Sequence, residues 1–230
     1  MKTPLTRLLL VPAALAAMAF GAQAASVPEL VAQSYQILST RQGSASPIAQ
    51  GEFSAARGVA IIDITKGGLV FGGIGGDGVV LVKIKSGLSG MVGMESWSAP
   101  VPIGFSGGSF GAQIGGSKTQ AIVILLSDNA VRRFTNPGKI GWSASAGGTA
   151  GADSKAEKEG GLLSDVDVKI YQSTEGLYGG AVFGGASLSI NDKAIAESYG
   201  PGKFVRDILE GKVATPAYTE SLVSLLNGKR

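Results

Sequence analysis

The sequence contains no cysteine and no histidine. Without cysteine there is no disulfide, no thiolate nucleophile and no lipid-modified N-terminal cysteine, so the chain must be held by its core alone. Without histidine, Ser-His-Asp and Cys-His catalysis are excluded, and zinc or copper sites lose their usual ligands. Charge and aromaticity are sparse as well, at 16% and 7% of the residues. Only carboxylates, lysines and hydroxyls remain for chemistry. The expectation is a protein that is not an enzyme and that needs no cofactor or metal. Glycine, by contrast, is abundant, with 36 of 230 residues.

Lys2 and Arg7 precede an apolar run that ends in Ala22-Gln23-Ala24. A basic start, a short apolar stretch and a small-x-small site make a secretory signal peptide over residues 1–24, with cleavage expected after Ala24. The run is too short and too rich in alanine for a comfortable membrane span, an uncleaved anchor being the alternative. Cleavage leaves 206 of the 230 residues, enough for one domain over 25–230 with a helical C-terminal extension from about residue 200. Its expected location is periplasmic or secreted. Cleavage also removes two cations and no acid, lowering the formal charge from +3 to +1. That leaves too little clustered positive charge for nucleic acid.

The chain is organised around residues 55–85, where three apolar runs at 59–64, 69–74 and 79–84 are punctuated by glycine pairs. Short Val- and Ile-rich runs bounded by glycine predict three closely paired strands. Gly73-Ile74-Gly75-Gly76-Asp77-Gly78 satisfies G-x-G-x-x-G, but a strand rather than a helix follows it, so a hairpin with Asp77-Gly78 at its tip is expected in place of a nucleotide site. Before this stretch, residues 28–40 place Leu30, Val31, Ser34, Tyr35 and Leu38 on one helical face, with Ser26 as cap and Gly43 beyond the end. A helical turn at 52–57 then leads into the first strand.

Beyond it, Pro100 and Pro102 argue against a central strand at that point. Residues 121–126 are wholly apolar and read as a buried strand. Ser127-Asp128-Asn129 then caps a short helix stopped by Asn136-Pro137, with Val131 and Phe134 inside and Arg132 and Arg133 outside. Residues 139–152 are strand-like and 153–160 form a charged turn. At 164–172 apolar and charged residues alternate as in a half-buried strand, so Asp165 and Asp167 read as a solvated face rather than as paired catalytic acids with Asp63. A glycine-spaced strand or pair at 177–190 precedes helices at 191–199, 204–209 and from Pro216, the last with Thr215 as cap and Gly228 as stop. Glycine pairs recur at 67–68, 107–108, 147–148 and 179–180, consistent with bends in one sheet. Trp97, Phe105, Phe110, Trp142 and Phe183 fill the space beside the glycines; a cavity for one acyl chain is the sharper alternative.

The segments ARGVAIIDITKGG (55–68), FGGIGGDGVVLVK (71–83), WSAPVPIGFSGGSFGAQIG (97–115), the strand and SDNAVRRF helix (121–134) and GLYGGAVFGGASL (176–188) resemble, in order, the SYLF domain (Ysc84) family. The resemblance implies a lipid-binding module, since eukaryotic members are associated with phosphoinositides and some fungal ones with actin. A basic run that many relatives carry before the Gly-Leu-Phe-Gly turn is replaced here by Gln172-Ser173-Thr174-Glu175. Arg57 and Lys66 fall in the matched stretch and Arg132 and Arg133 on the short helix, and such groups with glycine amides can hold a phosphate.

The expected fold is α+β: a Gly-rich, largely antiparallel, twisted or barrel-like sheet flanked by N- and C-terminal helices. The expected function is non-catalytic binding of anionic phospholipid or a membrane surface, with headgroup candidates Arg57, Lys66, Arg132 and Arg133. The alternative is an envelope protein-interaction or structural module with no lipid preference. An outer-membrane barrel is a further rival, against which the helical C-terminus argues.

Overall fold

The computed structural model describes residues 25–85, 95–136, 138–140, 168–180 and 183–229. The glycine-punctuated stretch at its centre is one strand, β1 (Gly58–Lys85), 28 residues long. Held straight, such a strand would reach about 90 Å, roughly twice the diameter of a domain this size. It doubles back instead, and three glycines mark where its halves touch. A Cβ at Gly76 would lie 2.4 Å from the Asp63 carbonyl oxygen, one at Gly78 2.2 Å from that of Ile61, and one at Gly58 3.0 Å from that of Leu81. The Lys83 N–H donates to the Arg57 carbonyl at 2.8 Å across the same seam. No side chain fits at positions 76 and 78, so glycine there is a packing requirement.

This corrects the expectation of three short strands. β1 runs beside β3 (Val101–Leu125) from Gly58 opposite Leu125 to Val80 opposite Val101, with one irregularity between Leu69 and Phe71. Asp77-Gly78 is not a hairpin tip but lies within the ladder, opposite Gly104 and Ile103. A two-residue turn of the expected kind needs positive φ. Among the described residues, the glycines with positive φ are Gly200, Gly202, Gly211 and Gly228. Gly67 and Gly68 face Gly116 and Gly115, which lets the ribbon bend without ending. The prolines do not bar a central strand either: Pro102 is the second residue of β3, and the ladder on its other side begins at Ile103.

β5 (Val168–Gly180) and β6 (Phe183–Ile190) continue one another along the far edge of β3 in a single register, Gln113 opposite Gly180 and Phe110 opposite Phe183. β2 (Glu95–Trp97) flanks the end of β1, and β4 (Gly138–Ile140) flanks β6. Every pairing is antiparallel, and the order β2-β1-β3-β6-β4, with β5 also on β3, leaves the described sheet open. The α+β architecture is as expected; the twisted sheet is not a closed barrel.

Both faces of the sheet are covered, which is why residues 59–62 and 121–125 read as continuous apolar runs. Ala60, Ile62, Ile64, Val80 and Val82 enter one core, with Ala130, Phe134 and Ile208. Val59, Ile61, Val79 and Leu81 enter the other, with Leu30, Leu38, Phe53, Leu222 and Leu226. The first core is therefore capped by α3 (Asp128–Thr135) and α5 (Val205–Leu209), and the second by α1 (Val27–Gln42), α2 (Gln50–Ala55) and α6 (Glu220–Leu226). α4 (Asp192–Tyr199) sends Ala194 to one core and Ile195 to the other.

The helix starts follow the sequence closely. Ser26 precedes α1, and its N–H and hydroxyl donate to the Glu29 carboxylate at 2.8 and 2.7 Å. The Ala130 N–H donates to the Ser127 hydroxyl at the start of α3, and the Ala194 N–H to the Asn191 side chain at the start of α4. At the C-terminus Thr215 is not a cap. Its hydroxyl donates to the Trp97 carbonyl at 3.1 Å, while the Trp97 indole N–H donates to Asn227 at 3.0 Å. These bonds tie the C-terminal segment to β2. The expected strand at 139–152 is seen as β4 up to Ile140; its remainder, the charged turn at 153–160, Asp165, Asp167 and Trp142 lie outside the described residues.

Candidate functional site

Arg57 sits at the point where three backbone segments meet. Its N–H donates to the Leu125 carbonyl at 2.7 Å, and its own carbonyl accepts from Lys83. Next to it, Gly58 leaves room for α3: a Cβ there would lie 3.3 Å from a Val131 methyl. α3 is held down by Phe134, which is fully buried, and presents Asp128 to Arg57 at 3.6 Å. Both of those side chains are more than half exposed, so solvent screens the pair to well under about 1 kcal/mol.

Arg132 and Arg133 occupy the last turn of α3, where positive charge complements the helix dipole. Arg132 is exposed, as the sequence predicts. Arg133 is not simply on the outer side. Its Nε and one terminal nitrogen are buried and find no hydrogen-bond acceptor among the described residues. Leaving those donors unsatisfied is costly; they are Nε and Nη1, on opposite edges of the guanidinium and both closed to solvent, so they are not a fork open to an external phosphate.

Lys66 does not join them. It lies nine residues along β1 from Arg57, about 30 Å by strand rise, and burial pushes its ammonium pKa down. Arg57 is therefore tied to the start of α3 through Asp128, Arg132 and Arg133 stand in the last turn of the same helix, and Lys66 is elsewhere. The end of the sheet where β1 begins and β3 ends holds cations that the sequence did not single out. Lys83 donates to the Ser54 carbonyl and lies 5.6 Å from the centre of a Trp97 ring. Lys169 of β5 pairs with Glu52 of α2 at 2.8 Å, and Arg41 of α1 lies over Tyr171. Each of these depends on a contact distant in sequence, and the alternation at 164–172 signalled only that Lys169 is exposed.

The other motifs are structural. Gly73–Gly78 lies in a strand that continues to Lys85, so it starts no helix for a pyrophosphate. Asp63 is buried rather than solvated. One of its oxygens is held by Gln33 of α1 and by Lys118 at 2.9 Å, while the other finds no partner among the described residues. Burial, and then the charge of Asp63, push the Asp77 carboxyl up. Trp97 and Phe105 are core residues, while the side chains of Phe110 and Phe183 lie outside the described residues. A cavity of about 600 Å³ opens between the starts of α1 and α4, lined by Ser26, Glu29, Asn191, Lys193 and Glu197 among others. Its lining is too polar for an acyl chain. Among the described residues no group of three or more acids could hold a metal, and no helix is long and apolar enough to cross a membrane.

Residues 106–229 match the family model described as "Ysc84: Las17-binding protein actin regulator". The chain is 30% identical over 179 residues to Protein YSC84 of Saccharomyces cerevisiae, covering 76% of this chain and 36% of that protein. It is 28% identical to LAS seventeen-binding protein 3 of the same species, covering 76% and 37%. It is 30% identical over 193 residues to SH3 domain-containing YSC84-like protein 1 of Mus musculus, covering 83% and 54%. The chain thus spans from about a third to just over half of these relatives. No solved structure matches. The family description speaks of binding and regulation, and the match over more than half of its length means that the chain belongs to the Ysc84 (SYLF) family.

Proposed function

We propose that this protein is a non-catalytic binding module that takes anionic phospholipid, with the phosphate held at α3. The observation that carries the reading is the basic last turn of α3, where the exposed Arg132 stands beside Arg133 on the helix that Asp128 ties to Arg57. A phosphate oxygen pair matches the fork of a guanidinium. Lys66 is too far away to share that ligand. Residues 1–24, read as an export signal cleaved after Ala24, support a setting in the cell envelope.

Flotation with phosphatidylcholine vesicles, with and without phosphatidylglycerol, tests it. The protein floats with the anionic vesicles and loses most of that recovery in Arg132→Glu/Arg133→Glu, and recovery falls as salt rises because the attraction is screened over about 10 Å. Equal recovery with anionic, neutral and no lipid removes the reading.

A second reading is interaction with an envelope protein. It is favoured by the relatives' names, one of which is a LAS seventeen-binding protein. It predicts that crosslinking in intact cells captures one envelope protein in stable stoichiometry, with no preference among lipids.

A further inference from the structure

Among the described residues, two large hydrophobic side chains are exposed, Phe204 at 61% and Tyr218 at 40%. Both stand in the C-terminal segment. Tyr218 shares a hydrogen bond with Tyr199, and Tyr199 immediately precedes the loop Gly200-Pro201-Gly202-Lys203 that delivers Phe204. Single exposed apolar residues need no explanation; the way Phe204 is held does.

Gly200 and Gly202 adopt φ of 99° and 75°, which only glycine takes without strain, and Pro201 stiffens the loop between them. Phe204 then stands at the N-cap of α5, where Ser, Asp or Asn is favoured. Its N–H donates to the Asp207 carboxylate at 3.0 Å, so its backbone is fixed. Behind it Ile208 is fully buried, and Val205 and Leu209 pack on the same core. The helix thus anchors one side in the protein and leaves the phenyl ring in water.

Residues 203–212 carry three cations and two acids. Lys203, Arg206 and Lys212 are cations; Arg206 and Lys212 share the single acid Glu210, and Asp207 is committed to the cap. An exposed aromatic ring with basic residues close by in the chain suits the headgroup layer of an anionic bilayer. α5 also covers the same face of the sheet as α3, since Ala130, Phe134 and Ile208 share one core.

We infer that the Gly200–Phe204 loop is a membrane anchor, with Phe204 inserting into the interface of an anionic bilayer and Lys203, Arg206 and Lys212 meeting its phosphates. This rests on the lipid reading above but uses residues outside the α3 site. The full chain with Phe204→Trp, compared with the parent to subtract Trp97 and Trp142, shifts its emission to the blue on anionic vesicles and is quenched by brominated lipid. Phe204→Ser lowers the partition coefficient by about tenfold or more, as expected for an aromatic ring that no longer leaves water. Its melting temperature stays close to the parent's, and its affinity for soluble glycerol phosphate is unchanged.

A parent that floats, with Phe204→Ser partitioning equally and Phe204→Trp neither shifted nor quenched, overturns the anchor and leaves the lipid reading standing. Capture of an envelope protein that is lost in Phe204→Ser, without any change in partitioning, overturns it equally. A parent that does not float at all overturns the lipid reading itself.

Discussion

Gly78 shows how strictly a single residue is constrained here. A methyl group at this position would sit 2.2 Å from the Ile61 carbonyl oxygen, whereas one at Gly73 meets nothing within 4 Å. Gly78→Ala is therefore expected to lower stability by about 1–3 kcal/mol, the range for overpacking, and Gly73→Ala to change it by less than about 1 kcal/mol. Urea unfolding of the two variants checks the contrast. Asp77 offers a second test at this scale. Burial and the neighbouring Asp63 raise its folded pKa above the unfolded value, so the folded state binds more protons and its ionisation weakens the fold as pH rises. Asp77→Asn should accordingly raise the melting temperature at neutral pH, and that gain should vanish below the ordinary aspartate pKa of about 3.9. A gain equal at pH 7 and in acid would contradict this account.

At the scale of elements, α3 is the piece on which the phosphate site depends. The sequence announces it in full, through the Ser127 cap, the apolar Val131 and Phe134 and the Asn136 stop, and the structure agrees. Phe134→Ala removes the ring that seats it in the core, at a cost of about 3–5 kcal/mol, and should also weaken recovery with anionic vesicles, because Arg132 and Arg133 then lose their fixed position. Thermal melting and flotation on the same sample separate the two effects. β1 was less legible. Its apolar runs and glycine pairs are plain in the sequence, but the same pairs mark either a turn or a bend, and only the partner strand decides. Gly67 and Gly68 opposite Gly116 and Gly115 make a bend. Lys169 beside Glu52 was hidden for a related reason, since nothing local brings residues 117 positions apart together.

At the scale of the whole molecule, the two apolar cores explain how a chain without disulfides holds an open sheet. Helices close each face, so burial on both sides holds the sheet without crosslinks. The cations gather at one end of that sheet, where α2, α3 and the starts of β1 and β5 meet. The absence of histidine and cysteine removes the commonest catalytic side chains, and the family that the sequence motifs resemble is the one the chain belongs to. The charges that converge in space were only partly visible, because convergence depends on strand register.

The bond from the Gln50 side chain to the Leu226 carbonyl spans 176 positions, and Leu222 and Leu226 complete the core that α1 begins. Assembly of that half therefore waits for the final helix to be synthesised, and every earlier intermediate carries an unfinished hydrophobic surface. Pairings this remote in sequence also form slowly. A chain cut short before residue 220 should therefore expose the apolar faces of α1 and β1 and tend to aggregate.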